Sequence, residues 1–435
     1  MRENGERAIV LAVLTDVSDG QMADQALHRE LAGLAGPENA QKRRFISRLT
    51  RTVIERTITL DYFLDFVAEK PMKEQKPEIA WILRMAAAQI LYFDSVPDSA
   101  AVNEAVNLAA RYGQGAKAFV NGVLRSFLRR RGEFALPDPH IHPDKYLQIR
   151  YSLPNWIEQE IVRVSGDTAP EEVMAGFLAE APLFIRVNTS RISAERLREK
   201  LTASGITVNG EPLPGLLSVS DFGSVEAMPG FSDGEFYVQD ISSAAAYRSA
   251  GFAPRSRVLD VCGAPGGKSV QAALAMREGG RAGEICCCDI SDERLKRTRD
   301  NVSRLGLTEI ETRKRSAAEE HPEDAGRFDA VITDVPCSGI GDLRRKPDIR
   351  LRITRADSRE LVPVQRKIMA CAFPAVRPGG KLIYSTCTIV RAENQGNAKW
   401  FEEHFPVKLC SEKLYLPSEK WPGDGFYAAL FERLK

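Results

Sequence analysis

Between Gly234 and Lys435, short apolar runs rich in β-branched residues alternate with longer stretches of helical period, and this alternation constrains the fold most. Strands are expected at 257–262, 284–290, 310–315, 329–335, 381–386 and 427–432. Strands alternating with 10–15-residue helical patterns imply a doubly wound, mostly parallel sheet, a Rossmann-like α/β architecture. Such sheets bind ligands at the carboxyl ends of their strands, so chemistry is sought there.

The remaining sequence cannot share that core. A chain of 435 residues is too long for one hydrophobic core and should divide into two or three domains. Residues 1–135 read as an all-α bundle. Val102, Ala105, Val106 and Ala109 form one apolar helix face, and Phe119, Val120, Val123, Leu124, Phe127 and Leu128 form another. Residues 77–93 are apolar nearly all round and should run through the bundle's middle. Pro137, Pro139 and Pro143 then mark a linker. Residues 145–232 mix helical stretches with strand-like pieces at 183–187 and 207–208, a small α+β module. The α/β domain occupies 234–435.

Composition excludes several classes. At 43% hydrophobic and 27% charged residues, with net charge +1, the chain reads as an ordinary globular protein without a global basic field. Nucleic-acid binding would need local patches such as Lys42-Arg43-Arg44, Arg129-Arg130-Arg131 and Arg344-Arg345-Lys346. Each, taken alone, reads as a solvated surface run. No segment reaches membrane-spanning length, and the run 8–14 lacks a cleavage site, so a cytoplasmic address without membrane attachment is expected. All eight cysteines lie between Cys262 and Cys410. No Cys-x-x-Cys pair or Cys/His spacing suggests a metal. Cys286, Cys287 and Cys288 read as small buried hydrophobes.

Four strand ends carry groups suited to chemistry. The first strand runs into Asp260-Val261-Cys262-Gly263-Ala264-Pro265-Gly266-Gly267-Lys268-Ser269 and then a helix. Glycines let backbone approach a ligand, and the helix N-terminus offers free N–H groups, so this is a nucleotide-type turn. It is not a P-loop, because Gly263 lies one residue too close to Gly267. Asp289 closes the second strand, placed to accept ribose hydroxyls, while Ser291 or Asp292 caps the next helix.

The other two ends are Asp334-Val335-Pro336-Cys337-Ser338-Gly339 and Ser385-Thr386-Cys387-Thr388. If their strands are neighbours, both thiols face one cleft. Cytosine C5 is a poor nucleophile, but a thiolate adding at C6 makes C5 an enamine carbon able to take an electrophilic methyl. Asp334 could hydrogen-bond the N3/N4 edge. A thiol must ionise to act, and Lys268, Arg344 and Arg345 are candidates for an electropositive niche. The residues alone leave open which cysteine attacks.

These motifs, with Arg345-Lys346-Pro347-Asp348, Glu393-Asn394 and Asp424-Gly425-Phe426-Tyr427, resemble the Nop/Sun family of RNA 5-methylcytosine methyltransferases. Ala100-Ala101-Val102-Asn103-Glu104-Ala105 and Phe119-Val120-Asn121-Gly122-Val123-Leu124-Arg125 resemble the RNA-binding NusB domain. The resemblance covers nearly the whole chain. It implies S-adenosylmethionine held by Cys262, Gly263, Ala264, Pro265, Gly266, Gly267, Lys268 and Asp289. Asp334 would touch cofactor and cytosine, Cys387 would be the nucleophile, and Cys337 would assist release. NusB-like helices fused to this enzyme imply 16S rRNA as partner, in a single-stranded or looped region, and a monomer without metal. A tRNA substrate and a non-catalytic assembly factor are the alternatives. Three positions depart from the family: Gly263 replaces a usual Ala, Thr388 a usual Ser, and Ser316-Ala317 stand where an Asp normally faces the adenosine.

Overall fold

The computed structural model describes residues 5–34 and 36–435. The chain divides into two units, one of residues up to Val162 together with Arg345–Ile353, the other of Arg163–Arg344 and Thr354–Lys435.

The first unit is helical. Helices Glu6–Ser18, Ala40–Glu55, Pro77–Tyr92, Asp98–Ala109 and Gln114–Arg130 are its longer members. Pro77–Tyr92 starts with proline at the first helical position and buries Ile79, Trp81, Ile82, Leu83 and Ile90, the central helix expected from its all-round apolarity. Val120, Val123, Leu124 and Phe127 line the buried face of Gln114–Arg130. At its C-terminal end Arg130 pairs with Glu133 at 2.9 Å, and the next residue, Arg131, lies 3.8 Å from Asp98, which mutes that basic run. Segment Arg345–Ile353 belongs to this unit, and Arg350 Nη1 donates to the Glu55 carbonyl at 2.6 Å. Among the described residues no helix is long and apolar enough to cross a membrane.

The second unit carries two sheets. Strands β1 (Leu183–Val187), β2 (Thr207–Leu213), β3 (Leu216–Ser220) and β4 (Phe236–Val238) form an antiparallel sheet in the order β2-β3-β1-β4. Asn188 anchors the end of β1 to chain further along the unit, its Nδ2 donating to the carbonyls of Gly234 at 2.8 Å and Leu305 at 2.9 Å.

The larger sheet contains β5 (Arg257–Asp260), β6 (Glu284–Asp289), β7 (Ile310–Lys314), β8 (Phe328–Asp334), β9 (Val376–Thr386), β10 (Val407–Tyr415) and β11 (Phe426–Arg433). Their order is β10-β11-β9-β8-β5-β6-β7, with β5 to β9 parallel and β11 antiparallel to both its neighbours, β9 and β10. The expected mostly parallel α/β sheet is present. Both faces are apolar because alternate residues feed separate cores, Val331 on one side and Ala330 and Ile332 on the other. Chain progression reverses between β5 and β8, the position where such sheets open a crevice.

The resemblance implies alanine at 263, and β6 explains the glycine. A Cβ at Gly263 would stand 2.5 Å from Cys287 Sγ and 2.6 Å from Asp260 Cγ. Cys287 is fully buried, so the space is already filled. Gly263→Ala should therefore destabilise the protein by about 1–3 kcal/mol, and Cys287→Ala in the same chain should recover part of it. Chemical denaturation checks this; a neutral Gly263→Ala would contradict the packing argument.

Candidate active site

Parallel pairing of β8 with β9 sets Asp334 opposite Ser385. The chain leaves both strands at the same level, and Cys337 Sγ lies 3.2 Å from Cys387 Sγ. The strands are neighbours, so the two thiols meet. Their loops are joined again one residue on, where the Ser338 and Thr388 hydroxyls lie 2.7 Å apart. Thr388 keeps the hydroxyl that a serine would supply there, so that departure preserves the contact.

The same strand ends build a polar chain. Ser385 Oγ donates to Asp334 Oδ1 at 2.7 Å and lies 2.7 Å from the Tyr247 hydroxyl. Asp334 Oδ2 is 2.6 Å from Lys268 Nζ, linking β8 to the glycine turn after β5. Burial opposes the Lys268 charge, but the Asp334 carboxylate outweighs it and holds the ammonium above its ordinary range. Tyr247 enters from helix Ile241–Ala250 and is buried. No sequence signal marked it, since its partner lies 138 residues away.

Gly341 closes the loop after Cys337. Its N–H donates to the Cys387 carbonyl at 2.9 Å and its carbonyl accepts from Gly425 at 3.0 Å. A Cβ at this position would stand 1.8 Å from the Gly425 carbonyl oxygen, so only glycine fits between the two segments.

Around the turn, Gly263 N donates to the Cys288 carbonyl at 2.7 Å, and helix Gly267–Glu278 begins beyond Gly266, whose φ is +101°. Ala264 O accepts from Arg294 at 2.6 Å. Cys262 is half-buried, and burial followed by Asp260 pushes its thiol well up. Asp260 is buried, and its Oδ2 accepts from Ser269 Oγ at 2.8 Å. Its Oδ1 has no hydrogen-bond partner among the described residues. Desolvation, reinforced by Asp334, raises the Asp260 carboxyl to about 7. Asp289 is 2% exposed, accepts from Ser291 N at 2.9 Å and lies 3.2 Å from Arg294. Ser291 caps the following helix, as expected, yet Asp289 is engaged by Arg294.

The electropositive niche expected around the thiols differs. Arg344 is 3% exposed and spends its guanidinium on Asp424 at 2.5 Å and on the Pro422 carbonyl. It is neither a solvated surface residue nor available to a thiolate. Lys268 is already paired with Asp334. The Cys387 thiol is accordingly pushed well above 9, first by its hydrogen bond with Cys337, then by burial, Asp342 and Asp334. These contacts disfavour the Cys387 thiolate.

Residues 252–431 match the family model for the 16S rRNA methyltransferase RsmB/F, and residues 4–129 match the NusB family. The chain is 33% identical to the probable ribosomal RNA small subunit methyltransferase B of Bacillus subtilis (strain 168), over 95% of this chain and 92% of that one. It is 32% identical to the protein of that name from a Synechocystis species, over 91% and 88% of the two chains. The chain belongs to the RsmB/F family of 16S rRNA methyltransferases. Members are S-adenosylmethionine-dependent methyltransferases, and this chain is one. Its fold is shared with the crystal structure of PH0851, at TM-score 0.80 and 24% identity over 99% of this chain and 98% of that one.

The residues present suit that cofactor's chemistry. Among the described residues Asp260 Oδ1 is a buried acceptor without a donor beside a glycine turn, and Asp334 and Asp289, each already holding a cation, add negative charge near it. That set favours a ligand carrying an ammonium and a sulfonium charge. Among the described residues no cluster of three His, Cys, Asp or Glu could hold a metal ion.

The elevated Cys387 thiol has a measurable consequence. A raised thiol pKa leaves little thiolate at neutral pH, so site-resolved iodoacetamide alkylation should mark exposed Cys410 first. Cys387 should react appreciably only well above pH 9. In Cys337→Ala, which removes the largest cause of the shift, the Cys387 profile should move to lower pH. An unchanged profile would contradict this electrostatic account.

Proposed function

We propose that this methyltransferase forms 5-methylcytosine in 16S rRNA through a covalent bond between Cys387 and cytosine C6. The 3.2 Å approach of Cys337 and Cys387 beside Asp334 carries the reading. A pair of thiols at adjacent strand ends is far more than packing requires, and the resemblance assigns them separate steps. S-adenosylmethionine, held by Cys262–Lys268 with Asp289 and Asp334, supplies an electrophilic methyl when bound.

Cys387 loses its proton and its sulfur bonds to C6, which moves the C5=C6 electron pair to C5. Asp334 can accept from the exocyclic N4 amine, fixing the ring edge and favouring electron release from N4 toward C5 as the methyl is taken. Once C5 is alkylated, a base must take the C5 proton. The C6–S bond then breaks with its electron pair returning to Cys387. Cys337, adjacent to that sulfur, assists this release. The hydrogen bond with Cys337 and burial raise the Cys387 thiol, so its proton has to pass to a base as the sulfur attacks. The target base has to leave its stack to reach the thiol, which favours a single-stranded or looped site. The names of the B. subtilis and Synechocystis relatives support small-subunit rRNA over tRNA, and the NusB-like unit is the part that, by its resemblance, would bind RNA.

Methyl transfer from labelled S-adenosylmethionine to protein-free 16S rRNA tests the reading. Wild type should transfer label, and Cys387→Ala should lose on the order of 10³-fold or more of that rate. Cys337→Ala should trap a protein–RNA adduct stable to denaturant. Adduct in Cys387→Ala instead would reverse the two roles. Transfer to tRNA but not rRNA would change the substrate, and none to any RNA would leave a binding factor.

A further inference from the structure

The dipeptide Glu393-Asn394 follows β9 in a loop, and both side chains are fully buried. Glu393 Oε2 accepts from the N–H of Ser338, the residue after Cys337, at 3.0 Å. It also accepts from Gln365 Nε2 at 2.8 Å, and the same Nε2 donates to the carbonyl of Pro336, the residue before Cys337, at 2.9 Å. Ser358 Oγ donates to the other carboxylate oxygen at 2.7 Å. All three neighbours are donors, the complement of an acceptor-only carboxylate.

Asn394 does the same for the other thiol. Its Oδ1 accepts from Thr386 Oγ1 at 2.6 Å, and its Nδ2 donates to the Thr388 carbonyl at 2.9 Å. Thr386 and Thr388 are the residues on either side of Cys387. Each cysteine is thus gripped at the residues before and after it, Cys337 by Glu393 together with Gln365 and Cys387 by Asn394. The grips are a single peptide bond apart. Asn397 braces this peptide, donating to the Glu393 carbonyl at 3.1 Å and to Gln365 Oε1 at 2.8 Å.

We propose that Glu393 and Asn394 are positioning residues that separately set the two thiols, Glu393 governing the release step at Cys337 and Asn394 the attack step at Cys387. A purely structural role predicts a shared loss of folded protein. A clamp with one arm per cysteine predicts that the two residues fail differently. Misplacement of a reacting group by about 1 Å costs on the order of 10²-fold in rate, so loosening one arm should slow one step selectively. The inference rests on the thiol roles proposed above.

The test compares protein–RNA adduct with turnover in full-length protein, using 16S rRNA and S-adenosylmethionine. Glu393→Gln turns one acceptor into a donor facing donors, and Gln365→Leu removes the hold on Pro336. Both should accumulate adduct as Cys337→Ala does, with kcat lowered on the order of 10–100-fold and the cofactor KM nearly unchanged. Asn394→Ala and Thr386→Val should form adduct more slowly and accumulate none. Thermal melting of each variant confirms the folded fraction, and Gln365→Leu and Thr386→Val each keep the dipeptide intact if its own variants fold poorly. Equal loss of both steps in all four variants, or loss tracking the unfolded fraction, would overturn the clamp while leaving the thiol chemistry standing if Cys337→Ala still traps adduct. If Cys337→Ala traps none, the reading beneath fails and this one falls with it.

Discussion

Two parallel strands in register release their chains at one height, and β8 and β9 do so with Asp334 opposite Ser385. The rest of the site depends on this pairing. It brings Cys337 and Cys387 together across 50 residues of sequence and lets Ser385 buttress Asp334. The cost of closing so long a loop is met elsewhere, by helix Arg355–Ala372 and the apolar core it covers. The antiparallel return of β11 beside β9 then delivers Gly425 against Gly341, closing the loop that carries Cys337.

Charge is distributed sparingly around the thiols. Asp260, Asp289 and Asp334 gather at the ends of β5, β6 and β8, while Lys268 is the cation in contact with Asp334. Arg344, which could have stabilised a thiolate, instead holds Asp424. A site so arranged favours a cationic ligand and disfavours a standing thiolate. That is a safer resting state for a half-buried pair of cysteines than a permanently ionised thiol open to oxidation.

Much of the fold was legible because buried parallel strands are apolar on both faces and stand out as short runs. The ends of β5, β6, β8 and β9 fell where apolar residues give way to Gly, Pro and Asp. Strand β10 was missed for a physical reason: a register shift between Leu409 and Ser411 breaks the two-residue alternation, and most of its side chains face solvent. The first half of β9 was missed because Arg377-Pro378-Gly379-Gly380 reads as a turn. Within the site, the thiols and Asp334 were visible from their strand-end setting. Tyr247, Gln365 and Asn397 were not, since each acts through a partner distant in sequence. Arg344 was misread because basic runs are usually solvated, and nothing local shows that Asp424 will claim it.

The central claim is that Cys387, and not Cys337, bonds to cytosine. Incubating the wild-type protein and S-adenosylmethionine with 5-fluorocytidine-substituted 16S rRNA should arrest the adduct, because the C5 position then has no proton to lose. Peptide mass mapping after nuclease digestion reads the attachment point directly. The account predicts the nucleotide on the peptide containing Cys387, with Cys337 unmodified. Attachment at Cys337, or no covalent product with an RNA that the protein otherwise methylates, would contradict it.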